Sequence, residues 1–293
     1  MSLTATVLGV VVTYNPGPDL LEHLTAMKLQ IATMVVIDNG SANTAEVEQQ
    51  ARTAGCRFVG NCANLGVAAA LSLGARLALA EGFEWLATFD QDSLIGPGAI
   101  AGLLSVYSGH PRRDRVAIVA MSHRDRATGR DYHHPEDIIE TASLWRSLRA
   151  TITSGSLIRT EVFAQIGVFD DALFIDSVDH DFCQRCRSHG WLVIEGREQL
   201  MEHSIGAVTE HDFIWTRVAC TNHSPLRRYY ITRNTLEIIR RYLLVDPRWT
   251  LCQLYYLVAG NILILLLEDR PAAKASAMAR GALDFLRRRF GPR

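Results

Sequence analysis

Residues 7–18 read VLGVVVTYNPGP, an apolar and mostly β-branched run that halts at an Asn-Pro-Gly-Pro turn. A strand without polar alternation is covered on both faces, as the strands of a parallel sheet are, and the breakers after it end it abruptly. Working outward, residues 19–29 carry helical patterning, and 34–37 form a second apolar run closed by Asp38-Asn39-Gly40-Ser41. Residues 44–54 read as helix, 57–60 as a short strand, 68–81 as an Ala/Leu-rich helix and 85–89 as a fourth strand. This alternation predicts an α/β protein with a mostly parallel central sheet flanked by helices. Ligands of such sheets sit beyond the carboxyl ends of the strands. The polar turns at 13–18, 38–41 and 90–93 all fall there.

Further along, the pattern predicts a helix to residue 107, a strand at 116–121 and an irregular polar insertion over 122–140. From residue 151 it reads strand, turn, helix (161–166), loop (169–176), helix (181–189) and strand (192–195), with a largely helical final stretch that turns basic. A chain of 293 residues accommodates one large domain, or one with an appendage. Its 48% hydrophobic content excludes intrinsic disorder. With 30 Lys and Arg against 31 Asp and Glu, it lacks the basic excess of a general nucleic-acid binder. Six cysteines in such a length are no disulfide scaffold and point to a reducing compartment. The first residues lack a basic segment and a cleavage site, so no export signal is expected.

Four constellations carry chemistry. Asp90 and Asp92 lie two apart after the fourth strand, so in extended geometry both face one ligand, and hard carboxylates suit a divalent cation that keeps water or phosphate oxygens. Their alternative is turn formation and helix capping. Asp38 can accept from a ligand N–H or simply close a turn, and Asn64 and Gly66, ahead of a helix, can offer N–H groups to an anion or only cap that helix. Asp176, Asp179 and Asp181 form an acid-dense stretch; a carboxylate at a helix start stays ionised and serves as a base, while Asp181 and Arg185 have the spacing of an intrahelical ion pair. Arg227-Arg228-Tyr229-Tyr230 and Thr232-Arg233-Asn234 combine guanidinium and phenol groups suited to a diphosphate, or else form a solvated basic face. A lone Cys183-x-x-Cys186 reads as buried thiols rather than zinc ligands, and a lone His203 is ambiguous between packing and metal ligation.

In their order, VVVTYNPG, VIDNGS, NLGVAAALSLG, FDQDS, TSGSLI, FIDSVDHDFCQR, MEHSIG and RRYYITRN resemble, over nearly the whole chain, the inverting glycosyltransferase family 2 with its GT-A fold, and most closely its bacterial rhamnosyltransferases. The resemblance implies a catalytic domain over 1–240, with a nucleotide-sugar half (1–100) and an acceptor half (101–240), and a helical, basic C-terminal extension over 241–293. It implies that Thr13, Tyr14, Asp38, Asn64, Gly66, Asp90, Arg227, Tyr230 and Arg233 bind the nucleotide sugar. It further implies that Ser154, Gly155 and Ser156 face the acceptor, and that Asp90, Asp92 and His203 hold Mg²⁺ or Mn²⁺. Asp179 stands where the family has its general base, although the usual Glu-Asp pair is Val178-Asp179 in this chain. The implied partners are dTDP-rhamnose and a saccharide or lipid-linked acceptor, with no nucleic acid.

Residues 249–267 form an uncharged stretch, and the last residues read Leu286-Arg287-Arg288-Arg289-Phe290-Gly291-Pro292-Arg293. Gln253 and Asn261 would be costly in hydrocarbon, so peripheral attachment to the cytoplasmic face of the inner membrane is expected rather than a span. Packing on the catalytic domain, or a homo-oligomer through these helices, is the alternative. The runner-up activities are galactosyl, galactofuranosyl or other hexosyl transfer from a UDP-sugar. A dinucleotide enzyme would show Gly-x-Gly-x-x-Gly where Tyr14-Asn15-Pro16-Gly17-Pro18 stands, and a non-catalytic nucleotide-sugar module would be expected to lack the acids that are present.

Overall fold

A computed structural model describes residues 6–125, 135–203, 209–213 and 216–293. The first half alternates as the sequence predicts: β1 (Val7–Thr13), α1 (Leu20–Lys28), β2 (Thr33–Asp38), α2 (Thr44–Thr53), β3 (Arg57–Gly60), α3 (Val67–Ala80) and β4 (Trp85–Asp90). There follow β5 (Leu94–Ile95), α4 (Ala99–Gly109), β6 (Val116–Asp125), β7 (Ile138–Thr141), β8 (Trp145–Leu148), β9 (Ser156–Arg159), α5 (Thr160–Ile166), α6 (Val178–Ser188) and β10 (Leu192–His203). A hairpin, β11 (Thr209–Phe213) and β12 (Thr216–Cys220), precedes helices α7 (Pro225–Tyr242), α8 (Pro247–Leu267) and α9 (Pro271–Leu286).

The main sheet has the order β3-β2-β1-β4-β9-β6-β10-β8-β7, with β5 paired to β10. β1 is parallel to both β2 and β4, and β6 is parallel to β10, whereas β5, β8 and β9 run against the rest. Because β9 lies antiparallel between β4 and β6, the strands on either side of it still point the same way. Their carboxyl ends therefore open on one side of the sheet.

The run that marks β1 is apolar throughout because both of its faces are covered. Leu8, Val10 and Val12 enter a core with α3, α5 and α6, while Val7 and Val11 enter a second core with α1, α2 and α4. Two expectations need correction. The polar stretch 122–140 is not wholly irregular: β6 continues through Asp125 beside residues 200–203, and β7 begins at Ile138, because ladder hydrogen bonds satisfy the backbone there whatever the side chains. The helix expected at 181–189 starts at Val178, which moves Asp179 from just ahead of the helix into its first turn.

All six cysteines are free, and burial pushes the Cys183 thiol up to about 12, consistent with inert packing. The helix α7 crosses position 240 and packs lengthwise on α9. Gly281 allows that approach, since a Cβ there would lie 2.5 Å from the Tyr229 carbonyl oxygen.

Candidate active site

Beyond the carboxyl ends of β1, β2 and β4 lies a cavity of about 630 Å³, within the range of small-molecule sites. Its wall takes Tyr14 after β1, Asn39 after β2, Asn64 and Gly66 before α3, and Asp90, Gln91 and Asp92 at the end of β4. From the second half come Thr153, Ser154, Phe174, Asp176, Asp179 and Arg227. The expected residues Tyr14, Asn64, Gly66, Asp90, Asp92, Ser154, Asp179 and Arg227 thus meet on one surface, although they are scattered from residue 14 to residue 227.

Hydrogen bonds between turns fix that surface. Asn39 Nδ2 donates to Asn64 Oδ1 at 3.0 Å, and Asn39 Oδ1 accepts from the Leu65 N–H at 3.0 Å and from Asn61 Nδ2 at 3.2 Å. The Tyr14 N–H donates to Gln91 Oε1 at 2.8 Å, tying the turn after β1 to the acidic turn after β4. Ser154 Oγ and Ser93 Oγ lie 2.6 Å apart, and both accept from the Asp90 N–H. Ser154 thereby orients the Asp90 backbone from the opposite half of the chain. Gly66 adopts φ +89°, and a Cβ there would meet the Phe174 carbonyl oxygen at 2.5 Å, so glycine is needed where the two halves touch.

Asp179 is half-buried in the first turn of α6, with Oδ1 accepting from the His180 N–H at 2.8 Å. Asp90 is half-buried and Asp92 exposed. These hard oxygen donors, with room around them in the cavity, fit a cation that retains water and phosphate ligands. Among the described residues no group of three or more His, Cys, Asp or Glu gathers into a closed metal cage. His203 ends β10, and its side chain lies outside the described residues.

Other expected residues lie off the cavity wall. Asp38 is fully buried behind it, accepting from Thr13 Oγ1 at 3.0 Å, from the Ser41 N–H at 3.0 Å and from Ser41 Oγ. Asp38 and the equally buried Thr13 therefore brace the two turns from beneath. Gly155 bonds to the Thr88 carbonyl at 2.8 Å, and Ser156 Oγ to the Ile152 carbonyl at 2.9 Å, so both support the turn that carries Ser154.

Arg233 is 1% exposed and donates to the carbonyls of Leu173, Ala172 and Gly291, with Tyr229, Tyr230 and Phe290 around its guanidinium. Tyr230 stacks on Phe174 at 5.0 Å and accepts from the Arg293 N–H. The expected three-residue diphosphate clamp thus reduces to Arg227 at the cavity. Packing of α7 against α9 and the C-terminus claims the other two.

Asn39, Gln91, Thr153, Phe174 and Asp176 line the site without having been singled out as binding residues. Asp176 had a sequence signal in the density of acids around it, and Asn39 in its position beside Asp38. The remaining three are ordinary loop residues that only the folded chain selects.

A sequence model of glycosyl transferase family 2 matches residues 10–167. Over 254 residues the chain is 31% identical to the dTDP-rhamnosyl transferase RfbF of Shigella flexneri, covering 82% of this chain and 81% of that protein. It is 29% identical over 219 residues to the N-acetylglucosaminyl-diphospho-decaprenol L-rhamnosyltransferase of Mycobacterium tuberculosis, covering 63% of this chain and 71% of that one. Among solved structures, GalNAc-T7 with UDP, GalNAc and Mn²⁺ superposes with TM-score 0.60 at 14% identity, covering 99% of this chain, which spans 59% of GalNAc-T7. S. aureus TarS 1-349 in complex with UDP-GlcNAc superposes with TM-score 0.53 at 14% identity, covering 97% and 81%. At such identity the structural matches establish the fold alone, which is GT-A.

Proposed function

The chain belongs to glycosyl transferase family 2 and is a glycosyltransferase, and we propose that it moves L-rhamnose from dTDP-rhamnose to a hydroxyl of a saccharide or lipid-linked acceptor, with inversion. The observation that carries this reading is the convergence of Asp90, Asp92, Asp179 and Arg227 on one cavity at the carboxyl edge of the sheet. The rhamnosyl donor is supported by the 31% identity to a dTDP-rhamnosyl transferase.

In this mechanism Asp179 accepts the proton of the acceptor hydroxyl as its oxygen attacks the anomeric carbon, through an oxocarbenium-like transition state. Asp90 and Asp92 would hold Mg²⁺ or Mn²⁺, which when bound supplies positive charge against the departing diphosphate. Arg227, exposed on the cavity wall, adds a guanidinium able to bind phosphate oxygens in bidentate fashion. The turn carrying Ser154 faces the acceptor side.

The test is a donor screen in Mg²⁺ or Mn²⁺. dTDP-rhamnose is expected to raise the melting temperature and to be slowly hydrolysed, whereas UDP-galactose and UDP-glucose do neither. Asp92→Asn is expected to lose the metal-dependent part of that stabilisation. Stabilisation by a UDP-sugar alone would overturn the rhamnosyl reading in favour of another hexosyl transfer.

We also propose that α8 attaches the enzyme to the cytoplasmic face of the inner membrane. Leu251, Tyr255, Val258, Ile262 and Leu266 fall on one side of the helix, each more than half exposed. The opposite side is held near its two ends, where Trp249 is buried and donates from Nε1 to Asp137 Oδ1 at 2.8 Å and Ile264 is buried, with α7 and α9 alongside. By length and apolarity α8 also meets the requirement for a membrane span, and its tether to the domain at Trp249 and Ile264 favours surface attachment. The exposed Arg248 and Arg270 at its ends and Arg287 and Arg289 beyond α9 are matched in charge to anionic headgroups. In flotation assays the full chain should bind vesicles containing phosphatidylglycerol, and Leu251→Glu with Tyr255→Glu should reduce that binding at least about tenfold. A dimer in solution with no vesicle binding would assign the same stripe to self-association and overturn attachment.

A further inference from the structure

Asp176 belongs to none of the roles above, yet it lines the cavity three residues before the base. Its side chain is only 15% exposed. Oδ1 accepts from Arg227 Nε at 3.3 Å and from Arg227 Nη2 at 3.1 Å, whereas Oδ2 is buried and has no hydrogen-bond partner. A buried acceptor left without a donor is costly, and more so for a charged group. Burial pushes the Asp176 carboxyl above its ordinary range despite the guanidinium beside it.

The backbone beneath this carboxylate is held in an expensive shape. Phe174, Asp176 and Ser177 are non-glycine residues at φ +66°, +64° and +63°. Such conformations are strained and persist only where the surroundings over-determine them. Here Asn234 Nδ2 donates to the carbonyls of Leu173, Ile175 and Asp176 at 2.8, 2.7 and 3.0 Å, and buried Arg233 donates to Leu173 from the same face of α7. The loop is clamped, so Asp176 is the fixed member of its ion pair. Arg227, with a side chain 44% exposed, is the mobile one.

We propose that Asp176 receives hydroxyl groups of the transferred sugar, and that Arg227 covers it until the donor's diphosphate draws the guanidinium away. A diphosphate offers Arg227 more charge than one carboxylate does, and Arg227 stands on the wall of the same cavity with its side chain partly exposed. The uncovered Asp176 then has unsatisfied acceptors next to Asp179, where the sugar must lie for in-line attack, and sugar hydroxyls are the donors a nucleotide sugar brings to that place. The pair couples recognition of the diphosphate to recognition of the sugar. Binding of a bare nucleoside diphosphate leaves Asp176 exposed and unpaired, which disfavours it relative to the complete donor.

This inference rests on the cavity's being a nucleotide-sugar site. Calorimetry on the full chain with Mn²⁺ would compare dTDP with dTDP-rhamnose. Asp176→Asn should leave dTDP binding unchanged or tighter and reduce the preference for dTDP-rhamnose over dTDP by roughly tenfold. Arg227→Gln should weaken both ligands about tenfold while keeping their ratio within about twofold. On the unaltered chain, at least one deoxygenated dTDP-rhamnose analogue should bind about tenfold more weakly than the parent, a measurement that stands whether or not Asp176→Asn folds. An unchanged preference in Asp176→Asn, an equal loss of both ligands in that variant, or full affinity for every deoxygenated analogue would each overturn the proposal. Failure of the unaltered chain to bind dTDP or any nucleotide sugar would instead remove the proposed function itself.

Discussion

Asp179→Asn is expected to lower transfer by about 10²–10⁴-fold, the usual contribution of a positioned general base, while leaving donor affinity within about twofold. Asparagine has the shape of aspartate, and its Oδ1 can keep the bond that Asp179 accepts from the His180 N–H. The first turn of α6 should therefore form as before. What is lost is the negative charge that takes the acceptor proton, not a contact to the nucleotide. Steady-state kinetics with a saturating acceptor, together with calorimetric donor titration, separates the two. Turnover near that of the unaltered chain would remove Asp179 from its role, and loss of donor binding in step with turnover would make it a donor ligand instead.

Two residues further along the same helix, an identical side chain has a different consequence. Asp181 is fully buried and accepts from Arg185 Nε, Arg241 Nη1 and Tyr242 Oη, each at 2.8 Å, joining α6 to α7. Asp181→Ala would leave two guanidinium groups facing a void. Removing one partner of a buried ion pair costs about 3–5 kcal/mol. That loss should appear as a lower denaturant midpoint with little change in the slope. Donor binding by the fraction still folded should remain unaltered, since Asp181 does not line the cavity. A loss of unfolding free energy below about 1 kcal/mol would mean that water or a neighbouring acid replaces it, and Asp170, which also pairs with Arg241 at 2.8 Å, is the nearest candidate for that compensation.

Asp176, Asp179 and Asp181 differ in how far along the chain their partners lie. The spacing of Asp181 and Arg185 already identified a helical ion pair, because that relation is local. The same acid-dense stretch contained Asp176, whose importance depends on Arg227, fifty-one residues away. Arg233 looked like a phosphate ligand by its chemistry and its neighbours. Folding directs it instead into the carbonyls of residues 172, 173 and 291, where it supports the loop that carries Asp176. Asp38 was likewise recognised as a significant acid, yet it braces its turn from beneath the wall.

Sequence alone determined the alternating β/α order of the first half, the turns that would bear polar groups, and the family. These follow from backbone periodicity, breaker residues and short motifs, all of which act over a few neighbouring positions. Tertiary structure decided which arginine of α7 faces the cavity, which acids line that cavity and which are struts behind it, and which flank of α8 is left apolar and open. Those outcomes depend on which surfaces are covered when helices and strands distant in the chain pack together, and a charge buried by such packing must find its partner there.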